Sequence, residues 1–230
     1  MSFPGFSKDT IRFFKMLKDN NAKAWFEQNR NLYDNHVLPE AQKFVVAMGA
    51  QLSKISDEIN ADPRIDKSIF RLYRDVRFSK DKQPYKTHLA LLFWEGSFKK
   101  LETPSFYFHL EPDNLMLASG MYIFPKDLIQ VYRDAVVDDI QGRSLEKAIQ
   151  QVQKKGNYQL GWEKYKTVPR GYDAGHARSH LLKMGGIGFS IEMPVPAEIF
   201  SPDAVEFAYR HFENMSPVYL WLKQMMQGAR

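Results

Sequence analysis

Apolar and polar positions alternate with two different periods along the chain, and the change of period marks out its blocks. Over roughly the first fifty residues the apolar positions recur every three or four places. Ser7 reads as an N-cap for a helix whose face carries Ile11, Phe14, Met16 and Leu17, and Asn20-Asn21 ends it. A second helical stripe starts near Ala22 with Trp25, Phe26, Asn29, Leu32, Tyr33 and His36. Pro39 either kinks that helix or opens the next, whose face is Phe44, Val45, Met48, Leu52 and Ile55. From His88 the helical spacing gives way to three strand-like runs, 88–94, 105–111 and 115–124. Pro112-Asp113-Asn114 joins the last two as an antiparallel hairpin. Helical spacing returns after Pro125, through Val131, Tyr132, Ala135 and Val136, and again through Leu145, Ala148, Ile149 and Val152. Residues 156–175 read as loop-rich, 177–184 as a short helix, Gly185-Gly186 as a turn and 187–193 as a fourth strand. Pro202 opens a closing helix bent at Pro217 and ending near Gln227. Helices, then a strand cluster, then helices predict an α+β fold: one domain over 1–230, with an antiparallel or mixed sheet flanked by N- and C-terminal helices.

One stretch fits neither period. Residues 69–78 alternate as a strand through Leu72, Val76 and Phe78, and also match a helical stripe through Ile69, Leu72, Tyr73 and Val76. The polar run and Pro84 that follow favour strand or extended loop. Charge changes the picture here. The segment 71–88, RLYRDVRFSKDKQPYKTH, holds six Lys or Arg against two Asp, so it carries +4 of the protein's formal +5. Basicity is therefore local, interleaved with Tyr73, Phe78, Pro84 and Tyr85.

Composition closes off several classes. With no cysteine there is no disulfide framework, no thiolate nucleophile and no thiolate metal site. No apolar run approaches the roughly 20 residues that span a bilayer, so no membrane partner is expected. The first residues lack the charged-then-apolar layout of a secretory signal, and the expected compartment is the cytoplasm. Aromatic residues, at 14%, predict a ring-rich core or binding face.

Guanidinium forks bind phosphate or carboxylate through two parallel hydrogen bonds, and ammonium groups add point charge. Arg71, Arg74, Asp75, Arg77, Lys80, Lys82 and Lys86 are therefore the candidate binding residues for a small anionic ligand. On an extended backbone Asp75 would lie between Arg71 and Arg77 and hold both. Arg170 and His176, on the later loop, are candidates to join them. His88 and Tyr85 are the first candidates for chemistry, His88 as a general acid or base with its pKa depressed by neighbouring cations. Two other readings stand beside this one. Cations interleaved with aromatic rings suit single-stranded nucleic acid. An Arg/Asp network can equally be architecture, as in a structural or interaction protein. His176 and His180 have metal-ligand spacing but lack the glutamate of HExxH, so no metal site is read there. No paired-magnesium acidic cluster, P-loop, GxGxxG or GxSxG is present. The residues leave cofactor, oligomeric state and the existence of any reaction open.

The central segment resembles a widespread, chiefly bacterial family known as domain of unknown function 2461, through a pattern R-x-x-R-D-x-R-F-S-K-D-K-x-P-Y-K-T-H that runs from Arg71 to His88. Trp25-Phe26 with Asn29-Arg30, Gly120-Met121-Tyr122 before Pro125, and Pro169-Arg170-Gly171-Tyr172-Asp173 with His176 support it. Ala177 departs from the pattern, where a proline often follows the histidine. The resemblance implies a single α+β domain and carries no activity with it.

Overall fold

The protein is described by a computed structural model covering residues 3–228. Its elements run α1 (Lys8–Asp19), α2 (Lys23–Leu32), a π turn (Tyr33–Val37), α3 (Leu38–Leu52), β1 (Ile59–Asn60), β2 (Leu89–Glu95), β3 (Ser105–Leu110) and β4 (Asn114–Met121). They continue with α4 (Leu128–Val137), α5 (Asp139–Gln153), β5 (Gln159–Glu163), α6 (Ser179–Leu182), β6 (Met184–Pro194), a 3₁₀ turn (Ala197–Phe200) and α7 (Ala204–Gly228). The strands form a six-stranded antiparallel sheet in the order β1-β2-β3-β4-β6-β5, with helices at both ends of the chain. This is the α+β class that the periods predict. The chain divides into two compact units, taken here in turn.

The first unit comprises 1–93, 107–117 and 192–210. Ser7 caps α1 as expected, its hydroxyl accepting from the Thr10 N–H at 3.3 Å. The Glu40 carboxylate accepts from the Ser7 N–H at 3.0 Å and the Thr10 hydroxyl at 2.7 Å, tying the start of α1 to the start of α3. Of the two expectations for Pro39 the second holds: it lies in the first turn of α3, directly after the five-residue π turn, where an N–H would have no intrahelical partner to lose. The period of two in β3 sorts its residues cleanly: Phe106, Phe108 and Leu110 are buried while Ser105, Tyr107 and His109 are half-buried. Phe108 packs on Phe44 and Phe6 at centroid distances of 4.7 and 5.7 Å, so α3 and the N-terminal segment cover the apolar face of the strand. Each such ring removed from water contributes about 1.5–3 kcal/mol, which outweighs any single surface pair.

The second unit comprises 94–106, 118–191 and 211–230. Phe106 stacks on Tyr219 at 4.4 Å and meets Phe212 at 5.2 Å, so the second half of α7 covers the start of β3. Two departures from expectation fall here. The stretch expected to be loop-rich also contains an unforeseen strand, β5, which pairs antiparallel with β6 through Gln159–Ser190 and Leu160–Phe189. Gly185-Gly186 is not a turn but the start of β6. Gly186 and Gly188 are there because backbones approach closely: a Cβ on them would collide with the carbonyls of Tyr122 and Ser119 respectively. The expected helix over 177–184 shrinks to the single turn Ser179–Leu182. Beside it the buried Arg178 donates from Nε to the Val136 carbonyl at 2.6 Å and from Nη2 to those of Val137 and Asp138 at 3.3 and 3.2 Å. It thereby satisfies the end of α4, and it lies across Gly142 of α5, where any side chain would strike its guanidinium.

Candidate functional site

The basic segment is neither helix nor regular strand. Its two ends run antiparallel to each other: the Arg74 N–H donates to the Pro84 carbonyl and the Lys86 N–H to that of Leu72, both at 2.8 Å, with a bridge between Tyr73 and Tyr85. Residues 75–83 close this ladder as a loop. Ion pairs and carbonyls fix it from within. Arg74 Nη1 bonds Asp81 at 2.6 Å and the Gln83 carbonyl at 3.1 Å, and Lys82 Nζ reaches the Val76 carbonyl at 3.0 Å. Arg77 grips Asp75 through Nε and Nη2 at 2.9 and 2.7 Å. Those hydrogen bonds hold the carboxyl of Asp75 below its ordinary value, with a smaller pull from Arg71, and Arg77 is raised in turn. The Gln83 N–H and then Arg74 lower Asp81 in the same way. Asp75 thus holds Arg77, while Arg71 acts on it only through its field. Arg71, Lys80 and Lys82 are exposed.

Tyr85 is the candidate that burial removes. It is 1% exposed and packs on Phe26 at 4.6 Å and Tyr73 at 5.0 Å. Burial, with Tyr73 beside it, pushes its phenol up to about 12. Among the three aromatic rings of the segment, Phe78 is 94% exposed and Tyr73 is about half exposed.

His88, by contrast, leads into a site. Its ring stacks on that of His109 at 3.9 Å and 27°. His109 is set by strand alternation: Tyr107, His109 and Glu111 stand at successive positions on one face of β3 and its turn. The Tyr107 hydroxyl and His109 Nδ1 share a hydrogen bond of 2.8 Å, and His109 Nε2 meets Glu111 Oε1 at 3.0 Å. With the imidazole neutral, Nε2–H donates to the carboxylate and Nδ1 accepts from the phenol. Phe70 borders Tyr107 edge-on at 6.3 Å, and Lys86 Nζ lies 5.0 Å over the Phe70 ring. The end of the basic segment therefore abuts a carboxylate–imidazole–phenol row. Burial pushes His88 down to about 3, helped by His109 and Lys86, so the ring is neutral at physiological pH. Burial and the Glu111 charge raise Tyr107 to about 12, which keeps it a hydrogen-bond donor. Metal-ligating atoms of His88, His109 and Glu111 lie within 4.8 Å of one another. The alternation of SFYFHL sets His109 on the face opposite the buried Phe106, Phe108 and Leu110. That the same alternation carries Tyr107 and Glu111 to its sides is the signal that sequence reasoning missed.

Arg170 and His176 belong to the second unit. Arg170 is exposed, and His176 Nδ1 accepts the Arg178 N–H at 3.1 Å. His176 precedes α6, so it and His180 do not share a helix face and the i, i+4 chelate does not form. In the same unit a cavity of about 650 Å³ is lined by Asp134, Asp138, Gln141, Trp221 and Met225. Its two carboxylates make it a poor host for an anion.

The fold and the segment define an α+β protein whose positive charge is gathered in one internally braced loop. The chain belongs to the family described as a conserved hypothetical protein, DUF2461, whose model matches residues 9–221. No curated protein and no solved structure matches it.

Proposed function

We propose that the protein binds a small anionic ligand, phosphate- or carboxylate-bearing, on the segment from Arg71 to His88. The observation that supports this best is the manner in which its arginines are held. Arg74 bonds within the loop through Nη1 and Arg77 through Nε and Nη2. Each guanidinium is fixed on one edge and presents another, beside the exposed Arg71 and Lys80. Preorganised donors lose less rotamer entropy on binding than free surface side chains do. Lys86 and His88 extend the same surface to the Tyr107–His109–Glu111 row. If a reaction follows binding, that row and His88, rather than the buried Tyr85, are its groups. The setting we propose is the cytoplasm, where phosphorylated small molecules are plentiful.

A second reading has its own support in Phe78. A ring left 94% exposed among cations offers a stacking platform for an unpaired base. One experiment separates the two. Wild type and Arg71→Ala, Lys80→Ala and Phe78→Ala variants are titrated at low salt with inorganic phosphate, nucleotides, dicarboxylates and short single-stranded oligonucleotides. Small-ligand binding is expected to weaken in Arg71→Ala and Lys80→Ala and to survive Phe78→Ala. Oligonucleotide binding with a steep salt dependence, lost in Phe78→Ala, would establish the second reading instead. Wild type that binds no anion would leave the segment as architecture.

A further inference from the structure

We infer that His88, His109 and Glu111 form a binding site for a divalent transition-metal ion of the zinc class. The case rests on four observations about the half-buried face of β3. First, the three residues offer two imidazole nitrogens and a carboxylate oxygen within 4.8 Å of one another. Two imidazoles and a carboxylate are a donor set suited to zinc, cobalt and iron and unsuited to magnesium or calcium, which take oxygen. In a tetrahedral zinc site, with bonds of about 2.0–2.1 Å, donor atoms stand roughly 3.3 Å apart. The pair His109 Nε2 and Glu111 Oε1, at 3.0 Å, already has nearly that bite.

Second, His109 has its outer support in place. Tyr107 sits on Nδ1 at 2.8 Å, the position that a metal-bound histidine commonly gives to an orienting partner. With metal on Nε2 the ring carries its proton on Nδ1 and donates it to the Tyr107 oxygen, whose own hydrogen turns to solvent. The switch of tautomer needs no net loss of a proton. Third, the His88 imidazole makes no hydrogen bond with any described residue, although it is half-buried. Its nitrogens are thus available as donors, and the coupled ring above it is already fixed. Stacked rings present their lone pairs side by side, so His88 must turn about its Cβ–Cγ bond to converge on the ion. His109, held at both nitrogens, supplies the fixed half of the site. Fourth, the three residues are the whole set of donors the cluster offers, which leaves a zinc-class ion at least one position open. Such an open site is of the kind that binds water or a ligand oxygen, in contrast to the closed four-residue sites that only brace a fold. The inference does not depend on the anion reading, because none of the three ligands is an arginine or lysine of that surface and its test contains no anion.

The test uses the full chain, freed of metal by chelator and titrated with Co²⁺ while the visible absorption is recorded. The expected result is saturable binding at one-to-one stoichiometry, with bands of a low-coordinate cobalt site that Zn²⁺ removes. Glu111→Gln is isosteric and changes one half-buried carboxylate just past the end of β3, away from the packed core. It and His88→Gln are expected to weaken binding at least about tenfold, and Tyr107→Phe to weaken it less, as loss of an orienting partner does. His180→Gln, an exposed histidine elsewhere, is expected to bind as wild type. Absorption that never saturates overturns the inference. So does a Glu111→Gln protein that binds like wild type, or a site abolished by His180→Gln.

Discussion

Single side chains differ widely in what they hold, and Arg178 and Arg77 are the extremes. Arg77 is an exposed partner of Asp75, whereas Arg178 is 6% exposed and answers three carbonyls at the α4–α5 junction, with Glu146 at 3.4 Å. Removing a buried charge that satisfies several acceptors leaves them all without a donor. Arg178→Met is expected to cost about 3 kcal/mol or more in chemical denaturation, in line with broken buried networks. Nothing in the sequence singled Arg178 out. It sits between His176 and His180, where metal-ligand spacing draws the eye, and its partners lie some forty residues away. His109 was partly legible because strand alternation is local. Its meeting with His88 was not, since that depends on how the 84–88 stretch pairs before β2.

At the scale of elements, the helices and β3 were legible because each buries one face against a core and so repeats a simple period, and β2, buried along its whole length, because it is a short continuous apolar run. The misses have a common physical cause. β5 shows exposed and half-buried residues only, so nothing in its pattern alternates. The glycines that open β6 serve close backbone approach, which sequence alone reads as a turn. The basic loop belongs to this scale too. Its hydrogen-bonded ladder and two ion pairs are local, and apart from the half-buried Arg74 the paired groups are exposed, where such pairs stabilise little. Arg74→Ala is therefore expected to leave the melting temperature nearly unmoved while loosening the loop, seen as faster amide exchange over 75–83. A large loss of stability would instead make the Arg/Asp network architectural.

For the whole molecule, no described helix is long and apolar enough to cross a membrane. Stability should respond to acid through histidines that the fold keeps neutral. His211, beside the Tyr158 hydroxyl at 2.9 Å, has its pKa lowered by burial. The unfolded chain takes up a proton near the ordinary value of about 6.5, and the folded chain does so only at lower pH. The contribution is thus complete above about 6.5 and declines as pH falls below it. Melting temperatures measured from pH 7 to pH 5 should fall less steeply for His211→Gln than for wild type. An identical slope would show that this ring titrates freely in the folded protein.

The face-sharing of Tyr107, His109 and Glu111 has a consequence for how this chain can vary. Because the carboxylate–imidazole–phenol row and the ring-filled core occupy alternate positions along one stretch of chain, they are written in the same two-residue frame. Inserting or deleting one residue in β3 would put Phe106 and Phe108 in water and the histidine in oil, so the site cannot drift without unmaking the fold. Paired changes of two residues keep both. Length variation in this strand should come in even steps or not at all.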